Sequence, residues 1–216
     1  MFGSAPAPVP VTVDMVKDVS LQRVTVTPAT DTANATASVE TPAIAAGSLW
    51  AASPAVVFVV RRPGCPLCRE QAMELMGLQP RLEAVGVKLV AVTHQMLDVE
   101  EFKTDYFQEG DVYMDEKRAF FEALGDRWSG LSGMLRPSFF KAAMRVRKKP
   151  VKGTMAGEGR LLGGLLVVGA GDRGVVYEHR EATFGDHAPL EEVMAAAGEA
   201  AGKPEPVAAP VPATTA

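Results

Sequence analysis

A continuous apolar run, Ala55–Val60, leads directly into a turn that carries the two cysteines of this 216-residue chain, in the segment Cys65-Pro66-Leu67-Cys68. The run is short and rich in β-branched residues, which predicts a strand that is covered on both faces. Apolar residues then recur at three- and four-residue spacing, which predicts a helix that ends at Gly86. A second apolar run over 87–92 predicts another strand. Strand, helix and strand in this order predict a parallel crossover, with the cysteines at the start of its helix.

The remaining patterns complete an α/β domain. They predict a short helix over 99–106, a strand over 112–114, a helix over 116–124 capped by Asp115, and a helix over 137–147 that begins with proline. Two further β runs, 161–168 and 174–179, predict a hairpin, and a helix over 189–200 closes the domain. This element order is typical of a thioredoxin-like fold, with a central mixed sheet, flanking helices and an insertion between its halves.

Composition divides the chain into three parts. Residues 1–46 are rich in Ala, Thr, Val and Pro, which predicts an extended or linker segment with one short strand near 19–26. Residues 47–201 carry the apolar periodicity and are the right length for one thioredoxin-like domain. Residues 202–216 are dominated by Pro and Ala and predict a flexible tail.

Charge and composition exclude several classes of protein. A formal net charge of -4 gives no electrostatic reason to expect a nucleic-acid partner. Two cysteines are too few for a disulfide-rich secreted scaffold, and no apolar run approaches the roughly 20 residues of a transmembrane helix. The N-terminus lacks the basic start and apolar region of a secretory signal, and its acidic residues argue against a transit peptide. We therefore expect a cytoplasmic protein, with a plastid or an assembly such as a cilium as the alternatives.

The two cysteines have the spacing of a redox pair. A thiol is a good nucleophile only as the thiolate, and the N–H groups at the start of a helix favour that form of Cys65. Arg61, Arg62 and Arg69 place positive charge on both sides of the motif. From these we choose Arg62 and Arg69 as the thiolate-stabilising residues. One helical turn brings Cys68 close enough for a disulfide. We predict that Cys65 attacks an oxidised substrate and that Cys68 resolves the intermediate.

Other interpretations of these features stay open. A zinc ion needs four ligands, but the chain has no second CxxC pair and its three histidines lack ligand spacing, so we expect no metal site. The cysteines could also be inert. A basic cluster over 141–152, interleaved with apolar residues, indicates either a site for an anionic substrate or membrane surface, or a helix whose last turn favours cations.

Several motifs resemble the peroxiredoxin-like 2 family, which includes the prostamide/prostaglandin F synthase. The matching segments stand in one order over roughly 47–201: Arg61-Arg62-Pro63-Gly64-Cys65-Pro66-Leu67-Cys68-Arg69, Asp115-Glu116-Lys117, Gly157-Glu158-Gly159, Leu162-Gly163-Gly164, Val167-Val168-Gly169, Glu178-His179-Arg180-Glu181 and Phe184-Gly185-Asp186. The resemblance implies a thioredoxin-like domain with Cys65 and Cys68 as its redox pair. It also favours a close approach of substrate at Gly163 and Gly164, which are candidates for substrate-facing residues, although glycines within a strand more often mark a bulge or the close approach of another backbone.

These observations lead to two hypotheses about function. The first is a thiol-dependent, antioxidant-type oxidoreductase that reduces a peroxide, a lipid endoperoxide or a disulfide. The resemblance implies that it binds no cofactor and takes electrons from thioredoxin or a similar donor, ultimately from NADPH. The second is a non-enzymatic component of a larger assembly, which would dock through the domain and the tails.

Overall fold

The computed structural model describes residues 8–27, 36–130 and 137–203. Its strands form one mixed sheet with the order β2-β1-β6-β5-β4-β7-β8, and β3 lies beside β1. The strands are β1 (Ser20–Thr27), β2 (Thr36–Val39), β3 (Ile44–Ala45), β4 (Ala55–Val60), β5 (Lys88–Thr93), β6 (Asp111–Met114), β7 (Gly164–Val168) and β8 (Val175–Arg180). The pairs β4–β5 and β5–β6 are parallel, whereas β4–β7, β7–β8 and β1–β6 are antiparallel. The strand–helix–strand crossover expected around the cysteines is therefore present.

Helices cover both faces of the sheet. They are α1 (Val13–Val16), α2 (Pro66–Met76), α3 (Gln79–Val85), α4 (Val99–Glu101), α5 (Ala119–Ala123), α6 (Pro137–Arg147) and α7 (Leu190–Ala201), together with a 3-10 turn (Ala46–Leu49) and a π-helical turn (Phe102–Tyr106). Within the described ranges, no helix is long and apolar enough to cross a membrane.

Strand β4 lies near the middle of the sheet and faces two apolar cores. Phe58 and Val60 point into the core that contains the cysteines and residues of α2, α3 and α7. Val57 and Val59 point into the opposite core, which contains Trp50. Because successive side chains of a strand alternate between faces, a run that is apolar at every position is buried on both sides. This burial fixes the end of β4, from which the cysteine turn starts.

The helix expected to run from the cysteines to Gly86 is two helices. Gly77 and Leu78 separate α2 from α3, although Gly86 ends the second one in the left-handed conformation, with φ 80°. The helix expected over 116–124 is also shorter, because α5 begins only after Arg118. The N-cap residue is therefore Arg118 and not Asp115 as predicted, although the Asp115 carboxylate accepts a hydrogen bond from the Phe120 N–H in the first turn at 2.9 Å.

The domain boundary expected at residue 47 moves toward the N-terminus. Strand β1 pairs with β6 in the central sheet, and Val11, Val16 and Leu21 are buried in the core around Trp50. The segment up to residue 46 therefore contributes to the sheet and to the core in its described parts, and is not only a linker. Residues 28–35 of the expected linker and 204–216 of the expected tail lie outside the described residues.

Candidate active site

Cys65 lies where the turn after β4 becomes helix α2. The Cys65 N–H donates to the Arg62 carbonyl at 3.0 Å, which closes the turn, and the Cys65 carbonyl accepts the first helical hydrogen bond from Arg69 N–H at 2.9 Å. Cys65 is thus the N-cap residue of α2, and Pro66 occupies the first helical position, where an N–H would have no partner within the helix. Both cysteines are buried and carry free thiols.

The Arg61 side chain makes the direct contact with Cys65. Its Nη2 lies 2.7 Å from the Cys65 sulfur, and its Nη1 donates to the Gly159 carbonyl at 2.9 Å. The face of the Phe184 ring lies 4.7 Å from the guanidinium carbon. These contacts fix a buried cation against the sulfur, and a cation at this distance stabilises a thiolate far more than a thiol.

The two sulfurs therefore have opposite acidities. A hydrogen bond from the Cys68 thiol, together with the charge of Arg61, lowers the pKa of Cys65 well below its ordinary value in spite of burial. The same hydrogen bond, followed by burial, raises the pKa of Cys68 well above its ordinary value. The arrangement favours Cys65 as the thiolate and Cys68 as the group that keeps its proton.

Arg62 stabilises the Cys65 thiolate less directly than predicted. Its guanidinium donates to the Ala156 carbonyl at 3.1 Å and to the Met155 sulfur at 3.8 Å, and not to a cysteine sulfur. Its charge still contributes to the lowered pKa of Cys65, although less than the charge of Arg61 does. Arg62 therefore helps the thiolate from a distance and mainly fixes the loop beside the site.

The assignment of Arg69 as a thiolate-stabilising residue is corrected. Its Nε donates to the Pro63 carbonyl at 2.8 Å, and its Nη1 donates to the Lys152 carbonyl at 3.0 Å. Its Nη2 forms an ion pair with Glu101 at 2.7 Å. A planar guanidinium with these three partners fastens the turn to two neighbouring segments, and its charge is compensated there.

A cavity of about 430 Å³ opens beside Cys65. Helix α6 contributes Phe139, Ala143 and Val146 to its wall, Phe184 adds a further apolar surface, and Arg160 adds a cation. The volume lies within the range of small-molecule sites. A mainly apolar wall next to a buried thiolate can accept the body of an organic molecule and exclude bulk water from the sulfur.

Gly163 and Gly164 do not face this cavity, and the expectation that they face substrate is corrected. A Cβ atom on Gly163 would lie 2.2 Å from the Val59 carbonyl oxygen, and one on Gly164 would lie 2.3 Å from the His179 carbonyl oxygen. The close approach that these glycines allow is to strands β4 and β8.

Part of the basic cluster after Phe139 fastens α6 to the cysteine helix. Arg145 forms a bidentate pair with Glu70 of α2, at 2.9 and 3.0 Å, and Lys149 contacts the same carboxylate at 2.9 Å. Glu70 is fully buried. A buried carboxylate needs such partners, and this pairing holds the apolar face of α6 over the cavity. The structural interpretation of the cluster therefore accounts for Arg145 and Lys149.

Sequence reasoning did not choose two residues of the site, Arg61 and Glu181. Glu181 follows β8, and its Oε2 accepts a hydrogen bond from Gly163 N–H at 2.9 Å and lies 3.9 Å from Arg61 Nε. Glu181 ends one of the segments that resemble the family, which pointed to a functional role, but nothing in the local sequence pattern linked it to a cysteine 116 positions away. Within the described ranges, no three His, Cys, Asp or Glu side chains group to hold a metal ion.

Comparison with known proteins gives the chain its family. A family model for AhpC/TSA antioxidant enzymes matches residues 74–183. Peroxiredoxin-like 2A of Danio rerio is 41% identical over 154 residues, which span 70% of this chain and 71% of that protein. Peroxiredoxin-like 2A of Gallus gallus is 44% identical over 154 residues, spanning 70% and 67%. The chain belongs to the peroxiredoxin-like 2 family. The resemblance found in the motifs is thereby confirmed.

Solved structures confirm the fold of this peroxiredoxin-like 2 protein. The bacterioferritin comigratory protein of Xanthomonas campestris superposes with a TM-score of 0.54 at 13% identity, over 87% of this chain and 95% of that one. Peroxiredoxin Q of the same organism gives the same TM-score and identity, over 87% and 94%. At this identity the likeness shows the thioredoxin-like α/β fold alone. The AhpC/TSA match begins after Cys68, and therefore the roles of the two cysteines rest on the site geometry.

Proposed function

We propose that this peroxiredoxin-like 2 protein is a thiol-dependent reductase in which Cys65 is the attacking residue and Cys68 the resolving one. The observation that carries the proposal is the 2.7 Å contact between Arg61 Nη2 and the Cys65 sulfur at the wall of an open cavity. The neighbouring proton on Cys68 adds a second stabilising contact for the thiolate.

With a peroxide as substrate, the reaction has two steps. The Cys65 thiolate attacks one peroxide oxygen, the O–O bond breaks, and the leaving alkoxide takes up a proton, which gives an alcohol and a sulfenic acid on Cys65. The Cys68 sulfur then attacks the sulfenic sulfur, the S–O bond breaks, and water leaves with the thiol proton of Cys68. The product is a Cys65–Cys68 disulfide. Cys68 keeps its proton until this second step because its pKa is raised.

The cavity favours an organic peroxide or a lipid endoperoxide over hydrogen peroxide or a protein disulfide. Its apolar wall would bury the hydrocarbon part of such a substrate, and burial of each CH₂ contributes about 0.8 kcal/mol. Hydrogen peroxide offers no apolar surface to this wall. Cys65 is only 3% exposed, so a disulfide of a folded protein reaches its sulfur only if the site opens, and reduction of the Cys65–Cys68 disulfide by a folded reductant needs the same opening.

An external dithiol must restore the two thiols, since the reaction consumes two electrons per cycle. Thioredoxin, recharged by NADPH and its reductase, has the chemistry that is required. The proposed cycle needs no bound cofactor, because the protein supplies both sulfurs.

A coupled assay tests the proposal. NADPH oxidation is followed in the presence of thioredoxin, thioredoxin reductase and either cumene hydroperoxide or hydrogen peroxide. We expect turnover with the organic peroxide, its loss in Cys65→Ser, and a single turnover that stops at a sulfenic acid in Cys68→Ser. If the wild-type protein consumed no more NADPH than Cys65→Ser with any of these acceptors, or with a lipid endoperoxide, the proposal would be wrong.

The docking hypothesis and the cellular compartment stay predictions. The tails expected to dock include residues 1–7 and 204–216, which lie outside the described residues. A cytoplasmic location is likewise an expectation from the sequence.

A further inference from the structure

One buried cation faces two buried acids. Arg61 lies between Cys65, whose sulfur is 2.7 Å from its Nη2, and Glu181, whose Oε2 is 3.9 Å from its Nε. All three residues are less than 5% exposed. Because these groups are almost completely buried, a single guanidinium stabilises one negative charge well and two negative charges poorly.

The other neighbours of Glu181 supply little further positive charge. The Gly163 N–H donates to Oε2 at 2.9 Å, which orients the carboxylate toward Arg61. His187 lies close enough for its charge to act on Glu181, but its ring is bonded to Glu74, with Nδ1 3.0 Å from Oε2. Cys68 adds a further acidic group on the Arg61 side of the carboxylate.

Arg62 is the other cation near the sulfur. Its guanidinium is bonded to the Ala156 carbonyl, and its charge acts on Cys65. Arg61 is therefore the cation that both acids contact. The geometry forces the charge of one acid to depend on the charge of the other.

We infer that Cys65 and Glu181 share one proton beside Arg61 in the reduced protein, and that Glu181 becomes the single anion of Arg61 when Cys65 enters a disulfide. This inference rests on the proposed Cys65–Cys68 redox cycle. The site would then keep the same net charge in both redox states, and the buried Arg61 guanidinium would have one anionic partner in each of them.

The directions of the two acidities agree with this geometry. The hydrogen bond from Cys68 and the charge of Arg61 lower the pKa of Cys65. Burial, with a further contribution from the Cys65 charge, raises the pKa of Glu181. Two acids that interact this strongly titrate as a pair, so that the proton belongs to the pair and not to one residue.

The inference fixes how many protons accompany reduction. When an external dithiol supplies two electrons and the S–S bond breaks, Cys68 takes up one proton and the Cys65–Glu181 pair takes up a second. If the side chain at position 181 could not titrate, Cys65 would remain a thiolate beside Arg61 and reduction would take up one proton only. The difference is one proton for every two electrons.

Equilibration with dithiothreitol measures this number directly. Oxidation of dithiothreitol releases two protons at a pH well below the thiol pKa of about 8.5. For the wild-type protein these two protons are taken up again, and we expect the exchange constant to be flat between about pH 5.5 and 7.5. For Glu181→Gln one proton is left over, and the constant should rise about tenfold per pH unit.

Glu181→Gln removes the charge of the carboxylate and keeps nearly the same side-chain shape. The glutamine amide oxygen can still accept the hydrogen bond from Gly163. Glu158→Gln removes a carboxyl that lines the cavity beside Cys65 but bonds the Arg160 N–H, and we expect its exchange constant to stay flat. His187→Gln should also stay flat, which excludes the histidine as the source of the second proton.

Each outcome has a definite meaning. A wild-type constant that rises about tenfold per pH unit would mean that reduction takes up one proton only, so that Glu181 keeps the same charge in both redox states, and the inference would be wrong. A flat constant in Glu181→Gln would place the second proton elsewhere and would also overturn it. The wild-type measurement needs no variant and therefore no assumption about folding. Absence of any Cys65–Cys68 disulfide, checked by mass spectrometry after oxidation, would refute the proposed function itself and the inference with it.

Discussion

Replacement of Arg61 by methionine should raise the pKa of Cys65 and slow its reactions at neutral pH. The guanidinium lies 2.7 Å from the sulfur, and an opposite charge within this distance shifts a pKa by about one to three units. This range corresponds to about 1.4 to 4 kcal/mol of thiolate stabilisation. The hydrogen bond from Cys68 remains in the variant, so the pKa should not return fully to that of a free thiol.

The pH dependence of alkylation measures this shift. Iodoacetamide reacts with the thiolate, and mass spectrometry after digestion separates modification of Cys65 from that of Cys68. At a pH below both midpoints, we expect alkylation of Cys65 to be about 10-fold or more slower than in the wild type, because the smaller thiolate fraction outweighs the higher nucleophilicity of a more basic thiolate. Far-UV circular dichroism on each variant checks that the fold is retained.

Arg69→Met and Arg62→Met are the matched controls, because the sequence alone makes Arg61, Arg62 and Arg69 equal candidates for the cation that stabilises the Cys65 thiolate. Arg69 bonds the Pro63 and Lys152 carbonyls and pairs with Glu101, so its loss should leave the alkylation midpoint almost unchanged. Arg62→Met should give a smaller shift than Arg61→Met. A midpoint that moves as far in Arg69→Met as in Arg61→Met would refute the assignment of Arg61.

Three further predictions concern stability. Although burial opposes the shift, hydrogen bonds from a histidine and a lysine lower the pKa of Glu74 from 4.5 to about 2. The ionised carboxylate therefore stabilises the fold by about 1 kcal/mol after solvent screening, and this stabilisation is present above pH 4.5 and lost as the pH falls through about 2. In urea unfolding, Glu74→Gln should be less stable than the wild type at pH 6 and equal to it near pH 2. Gly163→Ala should cost about 2 kcal/mol or more in the same assay, because the new Cβ would lie 2.2 Å from the Val59 carbonyl oxygen. Arg145→Met should destabilise by about 1–3 kcal/mol, because the buried Glu70 carboxylate loses its bidentate partner.

The Gly163 and Arg145 variants each have a control elsewhere in the same domain. Gly159→Ala should cost less than Gly163→Ala, because its Cβ would approach only a side-chain atom, Arg62 Nη1 at 3.2 Å, and no backbone atom. Lys148→Met removes an exposed cation just after α6 and should change the unfolding free energy by less than about 0.5 kcal/mol. Equal losses in Arg145→Met and Lys148→Met, or in the two glycine variants, would contradict the packing described here. For Glu74, a stability difference that persists unchanged at pH 2 would do the same.

The central part of the fold could be predicted because its strands are apolar at every position. Strand β4 was predicted with the bounds that the structure shows, and β5 within one residue. Strand β1 is different. Its buried residues Leu21 and Val24 are three positions apart and are separated by partly exposed ones, because the strand is paired in turn with β3, β6 and β2. A strand with changing neighbours shows no simple alternation, and its membership in the sheet was therefore missed.

The choice among the arginines shows where sequence reasoning about the site ends. If the alternation of β4 continued past Val60, Arg62 would lie on the same face as Phe58, above the cysteine helix, and Arg61 would lie on the opposite face. The turn closed by the bond from Cys65 N–H to the Arg62 carbonyl interrupts this alternation and returns the chain over the Arg61 side chain. The partners of Arg61 beyond the turn, the Gly159 carbonyl and Glu181, are about 100 or more positions away in the chain. Composition and spacing predict that positive charge surrounds the thiol, but the particular guanidinium that contacts it depends on one turn and two long-range contacts.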